Sequence, residues 1–146
     1  MPDTNSTPAD PTVHHTGLTV SDLDRSVEFY TDVFGWTVEA RFSVAGDAFE
    51  TVVGSEGVSG RFVHLDGGDG RIELVEYDPA DSARDPPTLP QPGGTHLAVA
   101  VDDVDAFLDG LPEDTDPLSE PRTTESGTRL VFVRDPDGNL VELLEP

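Results

Sequence analysis

Two short patterns each occur twice in this chain, so the polypeptide is a duplicated unit, and any fold proposed for it must place the two copies equivalently. The first runs His15-Thr-Gly-Leu-Thr-Val-Ser-Asp22-Leu-Asp24 and returns without a gap as His96-Leu-Ala-Val-Ala-Val-Asp-Asp103-Val-Asp105, with Leu18 matching Val99 and Val20 matching Val101. The second is Asp69-Gly70-Arg-Ile-Glu73-Leu-Val-Glu76 against Asp137-Gly138-Asn-Leu-Val-Glu142-Leu-Leu-Glu145, offset by one residue after the glycine. The duplication delivers two imidazoles, His15 and His96, and two carboxylates, Glu73 and Glu142.

Periodicity places these patterns on elements. Residues 13–20 read as a strand, Ser21-Asp22 opens a helix with the face Leu23, Val27, Tyr30 and Phe34, and Gly35 stops it. A second strand over 36–44, a short helix or loop over 48–53, and a hairpin of 61–65 with 71–77 across Gly67–Gly70 complete a β-α-β-β-β unit. The stretch 78–93, rich in proline, reads as a linker. The order then recurs: a strand over 95–101, a helix over 104–111, a poorly defined strand near Leu118, and a hairpin of 128–134 with 140–144 across Asp135-Pro-Asp-Gly138. The expected organisation is a flexible acidic tail over 1–12 and a single α+β domain over 13–146, built of modules 13–77 and 94–146.

Strand alternation decides which way the donors face. Leu18, Val20, Ile72, Leu74, Leu97, Val99, Val101, Val141 and Leu143 share the face that helices would cover. His15, Glu73, His96 and Glu142 fall on the other, beside Gly17, Thr19, Ala98 and Ala100, residues too small to fill a core. Four coordinating groups over missing bulk describe a cavity that holds a metal. Two nitrogens and two oxygens suit an octahedral divalent ion, Ni, Co, Mn, Fe or Zn, with two positions left for water or substrate. His14 falls on the opposite face from His15 as a structural residue, and the register of its strand leaves His64 unassigned. Asp22 and Asp103 read as helix caps, Glu28 and Glu76 as solvated.

Composition excludes several classes. Thirty acidic residues stand against eight basic ones, all arginine, for a net charge of -22. Such a surface repels nucleic-acid phosphates. It suits a salt-rich cytosol, where at about 1 M salt the Debye length of roughly 3 Å screens the chain's self-repulsion. The absence of cysteine removes disulfides and thiolate ligands and agrees with a cytoplasmic location. The first dozen residues lack the basic and apolar stretches of a signal peptide, and no apolar run is long enough to span a membrane.

The stretch His15 to Gly35, the strand Arg71-Ile-Glu-Leu74, the strand Gly94 to Asp103 and Asp135-Pro-Asp-Gly-Asn-Leu-Val-Glu-Leu143 together resemble the vicinal oxygen chelate superfamily, and within it glyoxalase I-like lyases. The resemblance covers 13–145. It implies paired βαβββ modules forming a cup-shaped mixed sheet with helices on its outer face, and it assigns His15, Glu73, His96 and Glu142 as metal ligands, in agreement with repeat and alternation. It further implies a lactoylglutathione lyase-like reaction, converting a 2-oxoaldehyde hemithioacetal to a 2-hydroxyacyl thioester, with a low-molecular-weight thiol as co-substrate. Glu142 is then the base, with Glu73 as its pseudo-symmetric partner. A homodimer is expected, because cups of this family often form between chains. A methylmalonyl-CoA-epimerase-like enzyme, an Fe(II) extradiol-dioxygenase-like enzyme and a non-catalytic binding protein of the same fold are the alternatives. Arg41 and Arg122 stand at plausible rims for an anionic substrate.

Overall fold

The structure, a computed structural model, describes residues 10–146; residues 1–9 of the expected tail lie outside the described residues. The first half runs β1 (Thr16–Thr19), α1 (Leu23–Phe34), β2 (Thr37–Val44), α2 (Asp47–Val53), β3 (Ser59–Asp66) and β4 (Arg71–Asp78). The second runs β5 (His96–Ala100), α3 (Val104–Asp109), β6 (Arg122–Thr123), β7 (Arg129–Arg134) and β8 (Leu140–Glu145). They form two mixed four-stranded sheets, ordered β1-β4-β3-β2 and β5-β8-β7-β6, with the first strand of each parallel to the last and the remaining pairs antiparallel. This is the α+β fold of paired βαβββ modules that the repeat requires. The segment over 47–53 settles as a helix, and the strand expected near Leu118 is β6 instead, with Pro117 making only an isolated bridge to Val133. Among the described residues no helix is long and apolar enough to cross a membrane.

The repeat governs helix starts as well as strands. Asp22 accepts from the Arg25 amide at 3.1 Å and Asp103 from the Ala106 amide at 3.0 Å, each satisfying an amide that the first turn leaves unpaired. A second carboxylate completes each cap. Glu76 on β4 accepts from the Leu23 amide at 3.0 Å, and Glu145 on β8 accepts from the Val104 amide at 2.8 Å. Glu76, read from sequence as solvated, therefore ties the last strand of its module to the helix. The expectation failed because alternation gives the face of a residue and not what crosses above it. Gly35 ends α1 at φ 71°, donating to the Thr31 carbonyl, a left-handed position open to glycine without strain.

One apolar core spans both modules. Val20, Leu23, Val27, Tyr30, Leu65, Ile72 and Leu74 of the first pack in one cluster with Val104, Val131, Val133, Val141 and Leu143 of the second. The joint is also polar. The buried Tyr30 hydroxyl donates to Asp135 at 2.7 Å, and Asp135 accepts in addition from the Asp137 and Asn139 amides and the Asn139 side chain. The Asp-Pro-Asp-Gly turn thus anchors α1 on the opposite module, and its aspartate is structural. In the first sheet β1 and β2 are exposed along nearly their whole length, and Phe42 on β2 and Leu118 in the second module show 41% and 45% of their surface.

Candidate metal centre

Pairing register brings each histidine to its glutamate. In the first sheet Glu73 on β4 lies opposite Gly17 on β1, two residues beyond His15; in the second, Glu142 on β8 lies opposite Ala98, two residues beyond His96. His96 opens β5 and shares a face with Ala98, while His15 lies one residue before β1; each imidazole reaches the neighbouring carboxylate. His15 Nε2 stands 3.4 Å from Glu73 Oε1, and His96 Nε2 stands 3.1 Å from Glu142 Oε1. The one-residue offset between the copies has a cause in the hairpins. The first turns on four residues, from Asp66 to Arg71, and the second on five, from Arg134 to Leu140.

The small residues named from sequence do leave room. A methyl group built on Gly17 would stop 3.9 Å from Glu73 Oε1 and 4.0 Å from His15, an ordinary contact, and Ala98 holds the equivalent place.

The first half-site is larger than the sequence reading made it. His64 on β3 pairs in register with Glu73, and its Nε2 lies 2.7 Å from Glu73 Oε2 with a side chain only 12% exposed. Donor atoms of His15, His64 and Glu73 all fall within 4.8 Å of one another. His14 joins them: its Nδ1 is 2.8 Å from His15 Nδ1, and its Nε2 meets the Arg71 guanidinium at 3.1 Å. The expectation that His14 faces away from His15 is therefore corrected. β1 begins only at Thr16, so strand alternation does not govern the preceding dipeptide. His64 could have been found by counting back from the four-residue turn, since Asp66 opposite Arg71 puts residue 64 opposite residue 73.

Among the described residues the second half-site has no third donor. The residue opposite Glu142 is Phe132, whose ring meets His96 edge-on at 5.3 Å between centroids. Within the described chain the two His–Glu pairs form separate groups, and the compact three-donor cluster contains neither His96 nor Glu142. Another compact acidic group, Asp103, Asp105 and Glu145, is explained by structure: two cap α3, and Asp105 takes a forked bond from Arg129 at 2.7 and 2.9 Å, which lowers its carboxyl pKa. Arg122 lines an open, mainly apolar hollow with Leu89, Leu118, Leu130 and Phe132 and pairs loosely with Glu120 at 3.7 Å. Arg41 lies on the exposed strand β2.

Residues 12–143 match the model of the Glyoxalase/Bleomycin resistance protein/Dioxygenase superfamily. The chain belongs to that superfamily. It is 34% identical over 144 residues to a 2-epi-5-epi-valiolone epimerase from Actinomyces sp., covering 90% of this chain and 78% of the relative. It is 30% identical over 148 residues to the lactoylglutathione lyase of Pseudomonas putida, covering 91% and 84%. Among solved structures, a glyoxalase family protein from Bacillus cereus superposes with a TM-score of 0.81 at 21% identity, over 96% of this chain and 98% of the other. At that identity the likeness concerns the fold. The trypanothione-dependent glyoxalase I of Leishmania major gives a TM-score of 0.66 at 26% identity, over 93% and 87%.

Proposed function

We propose that this protein is a divalent-metal-dependent lyase of glyoxalase I type, with His15, Glu73, His96 and Glu142 as the metal ligands. The observation that carries the reading is the repeated register: two imidazoles, each within 3.4 Å of a carboxylate, at equivalent positions of two equivalent sheets. The donor set fits a divalent ion of the Ni, Co, Mn, Fe or Zn class, and the chain has no cysteine to close a structural zinc site. Bound there, the ion would supply a Lewis acid that polarises a carbonyl and acidifies the adjoining C–H bond.

The chain's own groups then move the proton. Glu142 takes it from the carbon bearing sulfur and oxygen and returns it to the neighbouring carbonyl carbon, so a hemithioacetal of a 2-oxoaldehyde becomes a 2-hydroxyacyl thioester with no atom gained or lost. Glu73 is the pseudo-symmetric partner. A low-molecular-weight thiol is the co-substrate, and Arg122, which lines an apolar hollow, would meet an anionic group on it.

A homodimer completes the site. The exposed faces of β1 and β2, and the separation of the two pairs into distinct groups, favour a second copy that brings its His96 and Glu142 to His15 and Glu73 of the first. The epimerase relative supports a second reading, proton abstraction and return at one carbon acid, which needs the same donors. One experiment tests both. The metal-loaded protein, in molar salt, is given methylglyoxal with several thiols, and separately a range of 2-substituted carbonyl compounds in deuterium oxide. Product thioester supports the lyase, and deuterium entering a recovered carbon acid supports the epimerase. Absence of both would dismiss proton-transfer catalysis.

A further inference from the structure

The two half-sites are unequal, and the inequality lies in a single residue. At the position facing the glutamate, the second sheet carries Phe132 and the first carries His64. Nothing in the strand pairing demands an imidazole there, since the second sheet keeps the same ladder with a phenyl ring. The imidazole is nevertheless held in place: Phe42 stands edge-on to it at 5.0 Å and 89°, and its Nε2 lies 2.7 Å from a carboxylate that His15 already approaches from the other side.

We propose that His64 is a metal ligand in its own right, so that His15, His64 and Glu73 form a two-histidine, one-carboxylate cation site complete within the first module. This rests on the reading of the centre as a divalent-metal site and deepens it. Donors about 2.1 Å from an ion and at right angles lie about 3 Å apart, so a set within 4.8 Å would draw in by at most about 2 Å to close on one. The type is that of the facial triad, which leaves positions open.

The asymmetry also assigns roles to the two carboxylates. Glu73 sits between two imidazoles, and both its oxygens are engaged. Glu142 has one imidazole, and its cross-strand neighbour is a phenyl ring that can hold neither carboxylate oxygen. A substrate with two neighbouring oxygens would compete with the chain's own donors, and of the two carboxylates Glu142 is the less restrained. His64 thereby makes Glu73 the resident ligand and Glu142 the group released to carry the proton.

The test uses a chain whose second half-site is disabled, H96A/E142A, and titrates it with Co(II) by calorimetry and by the visible spectrum of the bound ion. One Co(II) per chain is expected. Adding His64→Phe, the residue the second sheet carries at this position, is expected to weaken binding by more than the roughly 100-fold that loss of an outer hydrogen-bonding partner costs at most, and to change the cobalt spectrum. His64→Gln, which keeps a hydrogen bond to Glu73 without an imidazole, is expected to behave like His64→Phe, and circular dichroism checks that both variants are folded. A smaller loss, or rescue by glutamine, would overturn the proposal and reduce His64 to a support for Glu73. Failure of H96A/E142A to bind cobalt at all would overturn it too, whereas the four-ligand reading would survive if the parent chain still binds.

Discussion

The joint between the modules allows a perturbation whose size can be worked out in advance. Tyr30→Phe removes one oxygen and leaves a ring that still stacks on Trp36 at 5.8 Å and on Phe34 at 5.9 Å. What is lost is a 2.7 Å bond from a fully buried hydroxyl to Asp135, leaving that carboxylate oxygen with only the Asn139 amide group. Hydrogen bonds to charged groups contribute about 1.5–3 kcal/mol, so the variant should unfold roughly 5–10 °C lower in a chain of this length. The same pair gives a pH signature. Burial, and then the Asp135 charge, push the Tyr30 phenol far above its ordinary value. A group whose folded pKa is raised stabilises the fold fully below the unfolded pKa, near 10, and loses that contribution as pH climbs toward the folded value. By pH 11 the loss from this group alone is about 1.4 kcal/mol. The chain has no lysine to titrate in that window, and the other tyrosine, Tyr77, is present in both proteins and cancels. Urea unfolding at pH 8 and pH 11, in molar salt, measures both effects. A variant within about 0.5 kcal/mol of the parent at pH 8, or one whose stability falls between the two pH values as steeply as the parent's, would refute this account of the joint.

Glu142→Gln should keep the fold and lower turnover by about 100-fold or more, the scale of general-base catalysis, and unchanged turnover in the metal-loaded protein would remove Glu142 from that role. Asp103→Ala should cost about 1 kcal/mol, measured by thermal unfolding, because Glu145 still holds one of the two amides at the start of α3; a loss near zero would show the aspartate cap to be idle. With a net charge of -22, the melting temperature should rise steeply between dilute buffer and about 1 M KCl as repulsion is screened, and a flat dependence would dismiss salt adaptation.

Much of this architecture was legible because the repeat is gapless where it matters. Alternation in 16–19 and 96–100 sorts helix-facing from open residues, and Asp22 and Asp103 start both helices as read. The sorting of the four residues into two pairs comes from strand register, each glutamate facing the residue two beyond its histidine, whereas the sequence pattern pointed to one shared hollow. Three things escaped. His14 lies before the strand, where alternation has no force. His64 needed the exact length of a turn, because a slip of one residue sends a side chain to the other face. Glu76 caps a helix that crosses above its strand, a contact between elements that no local pattern encodes.

The central claim is that His15 with Glu73 and His96 with Glu142 converge on one ion, although they belong to different sheets. The visible spectrum of the Co(II)-loaded protein, read alongside elemental stoichiometry, tests it most directly. One cobalt per chain is expected, with a spectrum that changes on His15→Ala and changes again on His96→Ala. Two cobalt ions per chain, or a single ion whose spectrum ignores the loss of His96, would contradict it.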